Sequence, residues 1–182
     1  IWEKQKKSFY KEIAQDTVAT IINDLVSVGA RPLVLNAYWA DAGDGFLQDP
    51  IRMKEFIKGW ETSCNLAEVV WGGGETPTLK GIIESKSVDL GGSAIGIIES
   101  DKFLTTDKKI KTGDRIILIK SNEVNANGIS LTRAIAKKLP KGYQTKVGNK
   151  TFRESLLTSS NIYAKVIQDL QKNNIYIHYI SN

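Results

Sequence analysis

Cysteine is almost absent from this sequence: Cys64 is the only one among 182 residues. No internal disulfide can form, and nothing points to an oxidising compartment. Histidine is equally scarce, with His178 alone. No zinc-ligand spacing, catalytic triad or dinucleotide fingerprint is present. No apolar run approaches the roughly 20 residues that span a bilayer, and no signal peptide is recognisable. The expectation is a cytoplasmic protein with no membrane partner. Charge of one sign is not in large excess: 25 Lys and Arg against 20 Asp and Glu give a net +5. That suits solubility and small anionic ligands. It argues against nucleic acid, because the aromatics lie in apolar runs, not interleaved with basic clusters. Internal repeats and low-complexity tracts are lacking too. The chain begins at Ile1 and stops just after an apolar alternation, and both ends look cut.

What is there is an ordinary core-forming composition, 41% apolar and 25% charged. Residues 10–29 place Ile13, Ala14, Val18, Ile21, Ile22, Leu25 and Val26 at helical spacing. Gly29 stands where a C-terminal cap belongs, and Pro32 blocks continuation. Residues 32–40 read as a buried strand. Asp49 and Pro50 open a second helix reaching residue 65, with Met53, Phe56, Ile57 and Trp60 on its apolar face. Residues 67–72 form a short strand ending in glycines, and 87–99 another strand. Its glycines at 91, 92 and 96 suggest a bulge or close backbone packing. A polar, turn-rich stretch then marks a boundary, giving units 1–105 and 106–182. The second unit reads as a strand at 115–121, a helix starting near Ser130 and ended by Pro140, a helix at 152–172 and a last strand at 175–180. The fold class is α+β. The first domain has a mixed or antiparallel sheet with helices on one face, and the second is the start of a truncated α/β domain.

Three places could carry chemistry. Asp16 and Asp24 lie two turns apart on the first helix, on neighbouring faces. Asp24 sits in the last turn, unfavourably placed against the helix dipole, so a cation is expected to compensate. It is either a solvated residue or a ligand-binding one. The run Gly72-Gly73-Gly74-Glu75-Thr76-Pro77 bares a length of backbone. Exposed N–H groups there can cradle phosphate oxygens, and a neighbouring carboxylate can hold Mg²⁺. The lysine and serine of a P-loop are missing, and a tight chain reversal is the competing reading. Residues 121–130 sit where a strand hands over to a helix, a usual ligand crevice. Asn125, Asn127 and Ser130 there could bind polar ligand atoms, or simply cap and turn the chain. His178 reads as a structural strand residue and Cys64 as a buried thiol. Trp39, Trp60 and Trp71 read as core.

Taken in order, "DTVATIINDLVSVGARPL", "GGGETP", "DLGGSAIGIIE", "GDRIILIKSNEVNANGISLTRAI" and "ESLLTSSNIYAKVI" resemble the aminoimidazole ribonucleotide synthetase (phosphoribosylformylglycinamidine cyclo-ligase) family of purine biosynthesis. The resemblance runs from Asp16 to the end of the chain. It implies an ATP- and Mg²⁺-dependent ligase that activates a formyl or amide oxygen by phosphoryl transfer before a nitrogen closes a ring. It implies a homodimer joined through the first domain's sheet, and formylglycinamidine ribonucleotide as the small-molecule partner. Carried onto matching positions, Asp24 and Glu75 would meet the metal. Asp16, Gly72, Gly73, Gly74 and Thr76 would lie at the nucleotide, and Ser121, Asn125, Asn127 and Ser130 at the substrate. No catalytic residue is assigned.

Three departures stand out. A glycine-rich segment that precedes this region in the family is not in the chain, and most of the second domain is missing. Residues 122–128 read Asn-Glu-Val-Asn-Ala-Asn-Gly where the family has serine-glycine-x-histidine-serine-asparagine-glycine. Ser159-Ser160-Asn161 stand where proline-threonine-arginine is common. These changes touch the substrate side more than the metal side. The alternative to an enzyme is a non-catalytic nucleotide-binding paralogue of the same fold.

Overall fold

The computed structural model describes residues 8–43, 45–122, 124–125 and 127–181. Helix α1 spans Tyr10–Ser27 and buries Ala14, Val18, Ala19, Ile22, Asn23 and Val26. Gly29 comes after it with φ +85°, its N–H donating to the Val26 carbonyl. Strand β1, Arg31–Asp41, comes next. Helix α2 spans Pro50–Ala67 and starts as its sequence dictates. The Asp49 carboxylate accepts from the Ile51 and Arg52 N–H groups, and Pro50 fills the first turn. Those N–H groups and the Arg52 side chain hold the Asp49 carboxyl below its ordinary range.

Strands β2 (Val70–Glu75) and β3 (Val88–Ile97) flank β1, giving the order β2-β1-β3. β2 runs parallel to β1 and β3 antiparallel, so the sheet is mixed. Both helices lie on one face. Leu35, Ala37 and Trp39 of β1 point into the core with Val18, Ile22, Phe56, Trp60 and Cys64. Trp39 meets Phe56 and Trp60 edge-on, with centroids 4.9 and 5.2 Å apart, a favoured aromatic geometry. Trp71 packs beside them. Burial pushes the Cys64 thiol up to about 11. The α+β class and the one-sided helical layer match the sequence reading.

Beyond residue 98 the sequence reading needs three corrections. Residues 115–121 form no strand: Ile116, Ile117 and Leu118 are 89, 82 and 90% exposed. Nor do residues 175–180. A strand needs another strand to pair with, and among the described residues neither segment has one. The helix expected at 152–172 is two helices. A capping box of Thr151 and Glu154 opens the short α4, Phe152–Ser155, and α5 covers Ala164–Lys172. The segment between them is drawn out of helix by Gln15, Asp16 and Asn23 of α1, which bond its backbone. Helix α3 spans Ile129–Lys138 with Lys137 and Lys138 in its last turn. A two-residue hairpin pairs β4 (Lys146–Val147) with β5 (Lys150–Thr151). Ala164 and Ile167 of α5 join the core formed by α1, α2 and the sheet. His178 is not in a strand; its Nδ1 lies 2.8 Å from Asp114 Oδ2. No described helix is long and apolar enough to cross a membrane.

Candidate functional site

The glycine run is not a turn but the second half of a strand, bulged where it pairs with β1. β2 continues through Gly72, Gly73 and Gly74 to Glu75. The pairing with β1 shifts there: Leu35 is level with Trp71, but Asn36 is level with Gly73. One extra residue is thus accommodated on β2, the signature of a bulge. Each glycine has its reason. A Cβ on Gly72 would collide with Val34 and Asn36, and one on Gly74 with the Ala37 backbone. Gly73 adopts φ +111° and has open space beside it. The Trp71 indole N–H donates to the Gly73 carbonyl at 2.9 Å and holds the bulge from the core side.

The bulge delivers Glu75 to the end of an edge strand, level with Tyr38, and Glu75 and Thr76 are exposed or nearly so. The chain beyond Glu75 is fixed by Asp41, a residue that the sequence reading missed. Asp41 is fully buried. Its carboxylate accepts from the N–H groups of Gly43 (2.8 Å) and Leu47 (3.0 Å), organising the loop into α2. Its backbone bonds Pro77 and Leu79, tying down the chain after Glu75. An Asp directly after a long apolar run was the available signal.

Asp24 is exposed in the last turn of α1, a turn with no basic residue. Asp24 and Glu75 belong to different layers, helix and sheet edge. Among the described residues no three His, Cys, Asp or Glu side chains gather as a metal-holding group. A protein-only metal cage is therefore not built among them. Mg²⁺ seldom uses one; it takes one or two carboxylates together with phosphate oxygens and water. The exposed Glu75 beside bare backbone fits that donor set.

Asp16 is partly buried, and its carboxylate accepts from the Ser160 N–H at 2.8 Å. Burial pushes its carboxyl above the ordinary range, opposed by that hydrogen bond. Gln15 Nε2 donates to the Ser160 carbonyl at 2.8 Å. Asn23, buried, donates to the Asn161 carbonyl (2.9 Å) and accepts from the Tyr163 N–H (3.0 Å). The polar residues of α1 thus clasp residues 160–163 and satisfy backbone groups that a continuous helix would have paired internally. Asn161 reaches onward. Its Oδ1 accepts from Asn122 Nδ2 at 2.8 Å, and its Nδ2 lies 3.4 Å from the Lys120 carbonyl. Two positions where the chain departs from the family pattern, Asn122 and Asn161, are therefore bonded to each other.

Ser121, Asn125, Asn127 and Ser130 are exposed around the entry to α3. Gly128 caps that helix with φ +82° and no side chain caps it, so the capping role open to Asn127 and Ser130 is not used. A cleft of about 550 Å³ lies elsewhere, at the start of α2, between Gly43 and Arg52. None of the candidate site residues singled out in the sequence line it.

The comparisons with known proteins agree with the fold and with the motifs. Residues 5–98 match the family model described as AIR synthase related protein, N-terminal domain. The phosphoribosylformylglycinamidine cyclo-ligase of Prochlorococcus marinus (strain MIT 9312) is 35% identical over 181 residues, covering 98% of this chain and 50% of that protein. The cyclo-ligase of Coxiella burnetii (strain RSA 493 / Nine Mile phase I) is 34% identical over 158 residues, 87% of this chain and 44% of that protein. The chain spans about half the length of these curated relatives. Among solved structures, thiamine monophosphate kinase from Aquifex aeolicus superposes with a TM-score of 0.57 at 13% identity, over 92% of this chain and 50% of that one; it shares the fold. With the family model covering more than half its length, this chain belongs to the AIR synthase related proteins.

Proposed function

We propose that this chain is the nucleotide-binding portion of an ATP- and Mg²⁺-dependent phosphoribosylformylglycinamidine cyclo-ligase of purine biosynthesis. The observation that carries the reading is the β2 bulge. It sets a solvent-facing carboxylate, Glu75, directly after three glycines on a sheet edge with open space beside Gly73. Bare backbone admits phosphates, and the carboxylate meets their metal. Support for the ligase activity comes from the cyclo-ligase relatives at 34–35% identity.

In the reaction, the formyl-derived amide oxygen attacks the γ-phosphorus and ADP leaves. A nitrogen of the same molecule then attacks the activated carbon, and the oxygen departs with phosphate. Bound Mg²⁺ would neutralise charge on the phosphates. The protein's share is positioning and electrostatics. Glu75 holds the metal-bearing end of the nucleotide, and Gly72–Gly74 and Thr76 lie along it. Asp24, on the helix layer and apart from Glu75, is the second carboxylate of this proposal, which the resemblance and not the geometry supports. Ser121, Asn125, Asn127 and Ser130 supply polar contacts to the ribonucleotide.

The active form in this proposal is a homodimer. The sheet face away from the helices carries Val34 with its exposed neighbours Val70 and Ile95, 67 and 62% accessible. Such an apolar row on an uncovered sheet fits a second copy. The site of action is the cytoplasm.

Complementation of a purine auxotroph blocked at ring closure tests the activity. Growth with the wild-type protein and loss of growth with Glu75→Gln support it. No growth with a folded, full-length protein rejects the ligase reading and favours a non-catalytic nucleotide-binding relative.

A further inference from the structure

We propose that Asn161 is a positioning residue that fixes the polar loop beginning at Lys120 against helix α1, and that ribonucleotide binding depends on it more than ATP binding does. The second half of this statement rests on the cyclo-ligase reading; the first does not.

The geometry is a relay through one side chain. The backbone of Asn161 is held by Asn23 of α1, with Asn23 Nδ2 donating to the Asn161 carbonyl at 2.9 Å. The neighbouring Ser160 is held on both its N–H and its carbonyl, by Asp16 and Gln15. Asn161 therefore projects from a backbone clasped at three successive places. From that fixed base its amide turns to the other segment. The Asn122 amide donates to it at 2.8 Å, and it approaches the Lys120 carbonyl and the Tyr163 hydroxyl at 3.4 Å each. Residues 115–122 are exposed and form no regular structure, and α3 opens without a side-chain cap. A loop with little buried apolar contact opens readily unless specific bonds restrain it. The Asn122–Asn161 bond supplies such a restraint immediately before Asn125 and Asn127. Glu75 and the glycine bulge lie outside this relay, on the sheet edge. Loss of the bond should therefore be felt by a ligand held on the 121–130 loop and much less by one held on β2.

The test compares wild type with Asn122→Ala, Asn161→Ala and Asn161→Asp. Asn161→Asp keeps the acceptor for Asn122 and loses the donor. Backbone ¹⁵N order parameters are read at the amides of Ser121, Asn122, Val124, Asn125 and Asn127, and steady-state kinetics are read with formylglycinamidine ribonucleotide and ATP varied separately. Either alanine variant should lower the order parameters at these amides toward the flexible range, below about 0.6. It should raise the KM for the ribonucleotide by about 5–10-fold while the KM for ATP stays within about twofold. Asn161→Asp should fall between. Asn122→Ala leaves the α1 clasp intact, so it decides the matter even if Asn161→Ala misfolds. Unchanged order parameters in folded Asn122→Ala overturn the positioning role. Equal changes in both KM values overturn the substrate-side assignment. Absence of turnover by the wild type rejects the cyclo-ligase reading, and the order parameters alone then decide the positioning role.

Discussion

Asn23 of helix α1 and Tyr163, 140 residues apart in sequence, are joined by a hydrogen bond from the Tyr163 N–H to Asn23 Oδ1 at 3.0 Å. The same Asn23 donates to the Asn161 carbonyl. One buried side chain thus satisfies two backbone groups of a segment that leaves helical conformation. Asn23→Ala strands both of them. An unpaired group costs roughly 1–3 kcal/mol when buried, and these two are half-buried, so the variant should lose about 2–4 kcal/mol in urea unfolding. Asn23→Asp should be no milder, because it sets a buried carboxylate against the Asn161 carbonyl.

Removing charge at Asp16 should have the opposite sign. Burial raises its carboxyl pKa in the folded protein. The folded state therefore holds that proton more tightly than the unfolded state. Its favourable contribution is complete below the unfolded value, near 3.9, and is lost as pH rises through the raised folded value. Asp16→Asn keeps an acceptor for the Ser160 N–H without the charge. It should be as stable as wild type, or more stable by up to about 1 kcal/mol, at pH 7. That advantage should vanish near pH 3. Denaturation curves at the two pH values check both statements.

In the bulge, Gly73→Ala meets no neighbour and suffers only from φ +111°, a cost of about 1–3 kcal/mol. Gly74→Ala also drives a methyl into the Ala37 backbone and should be clearly worse. Thermal unfolding of the two variants should rank them in that order. Equal stability would mean that Gly74 does not pack directly against the Ala37 backbone.

The Cys64 thiol is buried and its pKa is raised to about 11. At pH 8 it should resist a thiol-specific reagent in the native protein and react promptly once urea unfolds the chain. Fast native labelling would show that the α2 side of the core opens.

The elements legible in the sequence were those whose partners are local. The α1 spacing, the Asp49-Pro50 start of α2 and the three strands around residues 32–97 all announce themselves through periodicity and caps. The apolar run at 115–121 reads as a strand, but strand identity is a property of pairing, and no described strand pairs with it. Residues 156–163 read as helix because their apolar spacing permits it. What diverts them is a set of side chains more than 130 residues away, invisible to a local pattern. The glycine run was legible as a place of close approach. Its role as a bulge depends on the register with β1, which no sequence of one strand reveals. Asp16 and Asp24 look alike in sequence, yet one is half-buried in a clasp and the other is exposed.

The most direct measurement is calorimetric titration with ATP in the presence and absence of Mg²⁺, on this chain and on any longer form of the protein. It is to be repeated with Glu75→Gln and Asp24→Asn. Binding should depend on Mg²⁺, and Glu75→Gln should weaken it by roughly tenfold or more, the loss of one charged contact, with the fold retained. Equal ATP affinity in wild type and both variants, or no binding by a folded full-length protein, would contradict the assignment of Glu75 and the glycine bulge to the nucleotide.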